Sequence, residues 1–139
     1  MSASTQKAGR YLLDTSVAAE ILRGRLDLKT RFGEQARFYL CGITMGELYY
    51  GASVSARPEY QQQVITAMVS GYRLLALGRA VQQAYAQVKQ FLRRQGTPIP
   101  ENDVWIAAFA VAYRLPLLTR DRHFEVLQGL DGFEVVFLG

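Results

Sequence analysis

Four acidic residues stand where their carboxylates can act together. Asp14 follows the apolar run YLL, Asp121 follows PLLTR, Asp103 opens the apolar stretch DVWIAAFAVAY, and Glu47 lies within ITMGELYYGA. In an open parallel sheet the site forms beyond the carboxyl ends of the strands, so acids that follow strands come to one edge. We therefore expect these four carboxylates to share one rim of a sheet.

Glu47 is the least expected of the four, because no lysine or arginine lies within nine residues of it on either side. An unpaired charge in apolar surroundings costs several kcal/mol, so a partner from elsewhere in the chain, or a metal, is expected. Apolar residues share its predicted helix face, which predicts that this face is not solvated: Ile43, Tyr50 and Val54. Two glycines in the same helix, each costing about 1 kcal/mol relative to alanine, predict close approach by another backbone: Gly46 and Gly51.

Each acid also has a simpler interpretation. Asp14 could cap a helix that starts at Thr15. Asp103, in the first turn of a helix, could be stabilised by the positive end of the helix dipole. Asp121 could form a turn or an ion pair with a neighbouring arginine. As a set, however, like charges about 4 Å apart repel by roughly 4 kcal/mol at an intermediate dielectric, and a divalent cation would remove that cost. Oxygen ligands without a histidine or thiol companion favour Mg²⁺ or Mn²⁺ over zinc. Such a site fits phosphodiester hydrolysis.

Composition limits the class of protein. The chain has 139 residues, half of them hydrophobic and a fifth charged, which is typical of one globular domain. Its formal net charge of +4 comes mainly from arginine, which makes an anionic partner plausible. A single cysteine, Cys41, excludes an internal disulfide framework. We find neither a signal peptide nor a run long enough to span a membrane, so we expect a cytoplasmic protein with a flexible tail over residues 1–10 and one domain over 11–139.

The hydrophobic pattern alternates between short strands and longer helices, which predicts an α/β fold with a parallel sheet covered on both faces. The predicted strands are RYLLD, RFYLCGI, YRLLAL, PLLTR and FEVVFL. The predicted helices are TSVAAEILRG, DLKTRFGEQA, TMGELYYGASV, PEYQQQVITAMVSG, GRAVQQAYAQVKQFLRRQG and DVWIAAFAVAYRL. Thr44 is expected to start the third helix and DRHFEVLQGLDG to form a turn.

Three segments resemble, in order, the signature blocks of the PIN-domain family, and most closely its VapC-type toxins: YLLDTSVAAEILRG, ITMGELYYGA and IPENDVWIAAFAVAYRLPLLTRDRHFEVL. The match runs from residue 11 to about 137. The resemblance implies a three-layer α/β/α sandwich and a Mg²⁺- or Mn²⁺-dependent endoribonuclease. It also implies a homodimer that a cognate VapB-like antitoxin holds inactive.

The resemblance also assigns roles to residues. Asp14, Glu47, Asp103 and Asp121 match the family's metal-binding and catalytic acids. The positions that support the acids in such sites are matched by Thr15, Ser16, Asn102 and Thr119. Ser16 and Arg120 stand where asparagine is frequent in the family, and neither departure removes an acid.

The alternatives are a phosphotransfer domain, an RNA-processing PIN nuclease outside a toxin pair, and a catalytically silent binding module. A phosphotransfer domain is disfavoured because Asp14 lacks the acidic companion that receiver and dehalogenase-like domains need. Four arginines are candidates for phosphate contact: Arg23, Arg25, Arg93 and Arg94. His123, beside Asp121, is interpreted as a turn residue and not as a general base.

Overall fold

Five parallel strands form the middle layer of a computed structural model that describes residues 9–139. The strands are β1 (Arg10–Leu13), β2 (Arg37–Cys41), β3 (Arg73–Leu75), β4 (Leu117–Thr119) and β5 (Val135–Phe137). The helices are α1 (Thr15–Leu22), α2 (Leu28–Phe32), α3 (Gly42–Ser53), α4 (Pro58–Val69), α5 (Arg79–Gln95) and α6 (Glu101–Tyr113), and a 3-10 helix spans Arg122–Leu127. The predicted α/β/α sandwich is confirmed.

The strand order β3-β2-β1-β4-β5 places the first strand of the chain at the centre of the sheet. The chain moves outward from β1 to β3, then returns to place β4 on the other side of β1. Open α/β sheets bind ligands at such a reversal, outside the carboxyl ends of the strands. In this fold the reversal lies between Leu13 of β1 and Leu118 of β4.

Alternate residues of the strands supply the two halves of the core, as the two-residue period of a strand requires. Leu12 and Leu117 face the side covered by α5 and α6, whereas Leu13 and Leu118 face the side covered by α1 to α4. Helix α6 is buried along most of its length, from Val104 to Ala110, as its continuous apolar sequence predicts. Two helical layers therefore hold the sheet edge in a fixed position.

Several boundaries differ from the prediction. Helix α3 begins at Gly42 and not after Thr44, because Cys41 takes the extended N-cap conformation without a side-chain bond. Helix α6 begins at Glu101, directly after Pro100, which makes Asp103 its third residue. The predicted second helix is shortened to Leu28–Phe32 because Gly33 follows with a φ of 96°.

Two further predictions concern the N-terminal tail and membrane-spanning helices. Arg10 already belongs to β1, and the rest of the predicted tail, apart from Gly9, lies outside the residues that the structure describes. Within residues 9–139, no helix combines the length and the apolar character that crossing a bilayer would require.

Candidate active site

The carboxyl edge of the sheet brings the four predicted acids into one region. Asp14 directly follows β1, and Asp121 lies two residues beyond β4, on the other side of the strand reversal. Asp103 reaches the same edge from the first turn of α6, and Glu47 from the middle of α3. Side-chain hydrogen bonds then connect Asp14 with β4, and Glu47 with α6.

Asp14 is held in place from both sides of the strand reversal. Its side chain is only 3% exposed. One carboxylate oxygen, Oδ2, accepts a hydrogen bond from Thr119 Oγ1. The other, Oδ1, accepts from Ser16 Oγ at 2.7 Å and from the backbone N–H of Val17 at 3.0 Å. The last bond is a helix cap, so the simple interpretation of Asp14 is also correct, and the cap fixes the carboxylate beside β4.

Thr119 and Ser16 each connect Asp14 to the loop after β4. The backbone N–H of Asp121 donates to Thr119 Oγ1 at 2.9 Å, and the backbone N–H of Arg120 donates to Ser16 Oγ at 3.0 Å. Both hydroxyls therefore donate to Asp14 and accept from the loop. The backbone at Arg120 and Asp121 is fixed relative to Asp14 as a result.

Glu47 was expected to have a partner from elsewhere in the chain, and it has two, one from α1 and one from α6. Its Oε1 accepts a hydrogen bond from Thr15 Oγ1, and its Oε2 accepts from Asn102 Nδ2 at 3.1 Å. Neither partner carries a positive charge. The carboxylate is thus oriented by neutral donors and not by an ion pair.

Asp103 and Asp121 share a third group, the imidazole of His123. Nδ1 of His123 lies 3.3 Å from Asp103 Oδ2 and 3.1 Å from Asp121 Oδ1. One ligand atom from each of the three residues lies within 4.8 Å of the others. The assumption that the acids have no histidine companion was therefore wrong, because Asp121 caps the 3-10 helix through the His123 N–H at 2.9 Å and so brings the ring beside both acids.

Burial and like charges make this region costly for negative charge. The pKa of Asp103 is raised to about 6, mainly by burial; the contact with His123 lowers it, and the neighbouring Asp121 and Glu47 carboxylates add to the rise. Burial also raises the pKa of Asp14, against the hydrogen bonds from Thr119, Ser16 and Val17. Both effects favour the neutral form of an acid in the absence of a cation.

Two predictions about the surroundings of Glu47 are wrong. Tyr50 is 70% exposed and Val54 is 66% exposed, so that face of α3 is open on this chain. Apart from the backbone of α3 itself and the residues next to each glycine, no atom of residues 9–139 lies within 4 Å of the position where a Cβ would stand on Gly46 or Gly51, so no backbone of another described element approaches them. Instead, an open depression of about 590 Å³ runs along this side of α3 and reaches Glu47.

The four candidate arginines divide into two pairs. Arg23 and Arg25 contact the Glu20 carboxylate at 3.1 Å and 3.7 Å, near the loop that carries Asp121. Arg93 and Arg94 lie exposed in the last turn of α5. Within the part of the chain that the structure describes, no hydrogen bond or ion pair connects Arg93 or Arg94 with the acids.

Comparison with known proteins agrees with this architecture. The family model described as PIN domain matches residues 11–130, which is most of the chain. The chain belongs to the PIN domain family. Among curated relatives, Ribonuclease VapC2 of Haemophilus influenzae is 34% identical over 119 residues, covering 84% of this chain and 90% of the relative. A tRNA(fMet)-specific endonuclease VapC of Shigella flexneri is 31% identical over 124 residues, covering 87% and 94% of the two chains.

Solved structures place this PIN domain in the same group. VapBC-5 of Mycobacterium tuberculosis, described as a member of the VapBC family of toxin-antitoxin systems, superposes with a TM-score of 0.78. It is 26% identical in sequence, and the match covers 94% of this chain and 99% of that one. With the identities above 30% to curated VapC proteins over nearly their whole length, this makes the chain a VapC-type PIN domain.

Proposed function

We propose that this PIN domain is a metal-dependent endoribonuclease and acts as the toxin of a toxin-antitoxin pair. The observation that carries the proposal is the arrangement of Asp14, Glu47, Asp103 and Asp121 at one sheet edge of a VapC-type chain, with neutral donors orienting two of them. Repulsion among four carboxylates lowers the stability of the fold, so stability alone does not explain why they lie together.

The donor set fits a divalent cation of the Mg²⁺ or Mn²⁺ class. Asp103 and Asp121 offer carboxylate oxygens within 4.8 Å of each other, and hard cations prefer such ligands. Asp14 is close enough to Asp121, and Glu47 to Asp103, for their charges to interact. The raised pKa of Asp103, caused mainly by burial, supports a cation there because a positive charge would stabilise the ionised carboxylate. When bound, the ion supplies Lewis-acid stabilisation of developing charge on a phosphate and lowers the pKa of water.

The other side chains set the geometry and the protonation of the acids. Thr119 and Ser16 fix Asp14, and Thr15 and Asn102 fix Glu47, so neither carboxylate can rotate freely. Asp103 holds a proton on its carboxyl below about pH 6 and must release it before a cation binds there. The His123 ring is 54% exposed, so it would be able to turn aside from Asp103 and Asp121, the two acids that would hold the ion.

The phosphotransfer alternative is poorly supported by the surroundings of Asp14. A phosphoryl-accepting aspartate needs an accessible oxygen, whereas Asp14 is 3% exposed and both of its oxygens accept hydrogen bonds. Its role in the proposal is therefore to help bind the cation from within the site.

The partners follow from the group to which the chain belongs. The VapBC-5 structure is described as a toxin-antitoxin system, which supports a VapB-like antitoxin as the inhibitor of this chain. A homodimer is also proposed. Its support on this chain is the exposure of large apolar side chains on the last turns of α3, directly after α3, and around β3: Tyr50, Val54, Leu74 and Leu77. A monomeric mass by light scattering at micromolar concentration would count against the homodimer.

Cleavage of purified bacterial RNA tests the nuclease directly. The purified chain, free of antitoxin, is incubated with RNA and Mg²⁺ or Mn²⁺, and the new ends are mapped by sequencing. We expect discrete cuts that disappear with a chelator and with Asp103→Asn. Asp131→Asn, a change at an exposed aspartate in the loop before β5, is the matched control and should cut normally. No cuts from folded wild-type protein with metal demonstrably bound would favour the binding module.

A further inference from the structure

Glu20 in α1 is surrounded by arginines that are not paired with the four acids of the candidate site. Its side chain is 12% exposed, and three guanidinium groups approach its carboxylate. Arg120 Nη1 lies 2.6 Å from Oε1, Arg23 Nη1 lies 3.1 Å from Oε2, and Arg25 Nη1 lies 3.7 Å from Oε2. We call Glu20, Arg23, Arg25 and Arg120 the Glu20 cluster.

The Glu20 cluster is joined to the acid site through Arg120. The backbone N–H of Arg120 donates to Ser16 Oγ, which donates to Asp14 Oδ1, and the next residue in the chain is Asp121. The side chain of Arg120 points to Glu20 from a backbone that the acid site already fixes. A guanidinium is therefore held at the rim of the site by contacts at both ends of the residue.

The charge balance of the cluster suits an additional anion. Three guanidinium groups and one carboxylate leave a net charge of +2, whereas stabilising Glu20 would require only one cation. Exposed ion pairs contribute about 0 to 1 kcal/mol each, so two further arginines add little to stability. Each guanidinium carries five N–H donors, and within residues 9–139 its contact with Glu20 uses one nitrogen, so most of the donors can serve a second partner.

We propose that Glu20 gathers Arg23, Arg25 and Arg120 into a binding site for an RNA phosphate adjacent to the one that is cleaved. Arg120 contacts the phosphate and sets its position relative to Asp121, and Glu20 is a positioning residue that acts through the arginines. The ligand class, a phosphate of the RNA backbone, rests on the proposed nuclease function. Phosphate contacts of this kind fix the register of the nucleic acid without reading its sequence.

Binding of RNA in the absence of cleavage tests the site. The probe is a short fluorescein-labelled single-stranded RNA of mixed sequence, titrated with protein that carries Asp103→Asn, in chelator, and followed by fluorescence anisotropy. We expect Arg120→Ala to weaken binding about tenfold and to reduce the slope of log K against log salt by about 0.7, the value for one phosphate contact on a single strand. Arg31→Ala, at an exposed arginine of α2, is the control and should change neither quantity.

Glu20→Gln tests whether Glu20 positions the arginines or only lowers the positive potential of the cluster. Removing a negative charge raises the positive potential, so a cluster without internal organisation would bind the RNA more tightly in this variant. We expect weaker binding, by about threefold or more, because the arginines lose the carboxylate that gathers them. Arg120→Lys keeps the charge but not the forked donors, and should fall between wild type and Arg120→Ala.

The cleavage reaction supplies a second measurement in the wild-type background. Arg120→Ala should raise KM with a smaller effect on kcat, since a phosphate away from the reacting bond contributes mainly to binding. Unchanged affinity and salt slope in Arg120→Ala, or tighter binding by Glu20→Gln, would overturn the proposal. If wild-type protein cuts no RNA while the variants change binding as expected, the nuclease proposal fails and the phosphate site stands.

Discussion

Replacing Asp103 by asparagine is expected to stabilise the fold while it removes activity. In the absence of metal, the pKa of Asp103 is raised from 3.8 to about 6, mainly by burial, and its side chain is 15% exposed. That difference corresponds to roughly 3 kcal/mol of preference for the neutral form. This pKa already includes the effect of the contact with His123. Asp103→Asn removes the cost of the charge and should therefore gain up to about 3 kcal/mol near pH 7, or up to roughly 10 °C in Tm.

The pH dependence of this gain identifies its cause. Asp103 binds its proton more tightly in the folded protein than in the unfolded chain, so falling pH stabilises the wild type between about pH 6 and pH 4. The asparagine variant lacks that contribution. Its advantage should be complete above about pH 6 and should shrink toward zero as the pH falls to about 4.

The assay is thermal unfolding of wild type and Asp103→Asn in chelator, repeated across that pH range, with Asp131→Asn as the control. Added Mn²⁺ should stabilise the wild type more than the variant, because the carboxylate that binds the ion is missing from the variant. A variant that is less stable than wild type at pH 7, or whose advantage does not depend on pH, would refute the assignment of Asp103 as an acid strained by burial.

Three further predictions concern single residues. Thr119→Val should lower the free energy of unfolding by about 1 to 3 kcal/mol in a urea titration, because Asp14 loses a donor and the Asp121 N–H loses an acceptor; an unchanged midpoint would contradict this. Glu47→Gln should reduce RNA cleavage at fixed Mn²⁺ at least tenfold with unchanged circular dichroism, and normal cleavage would remove Glu47 from the proposed site. Gly96→Ala should cost about 1 to 2 kcal/mol in the same titration, since Gly96 ends α5 with a φ of 70° and open space around it.

The arrangement of the acids was predictable because it depends on strand order and not on detail. Asp14 and Asp121 follow strands that end at the same edge of any parallel sheet, and Asp103 and Glu47 lie in helices that begin there. Apolar runs and glycines in the sequence were sufficient to predict the strands and helices that carry the acids. Helix starts were less accurate, since Cys41 and Pro100 act as N-caps without any side-chain hydrogen bond that a sequence pattern would reveal.

Contacts between distant side chains were not predictable. Arg120 and Glu20 are 100 residues apart in the chain, and only the packing of α1 beside β4 brings them together. The position of His123 depends on a 3-10 helix where a turn was expected, and its proximity to Asp121 in sequence was the only available signal. Tyr50 and Val54 were expected to be buried because they are apolar, but both are exposed on this chain. An apolar side chain in a sequence does not reveal whether its own chain or another protein covers it.

The central position of β1 determines when the site can assemble during synthesis. The strand made first needs β4 as a neighbour, and the hydroxyl that holds Asp14 belongs to Thr119, 105 residues later. Contacts over such separations form late, because a long stretch of chain must first be ordered. A nascent chain that has already exposed Asp14, Glu47 and Asp103 therefore lacks the frame that aligns them. We therefore expect the chain to remain inactive beside the ribosome until β4 has emerged and folded against β1.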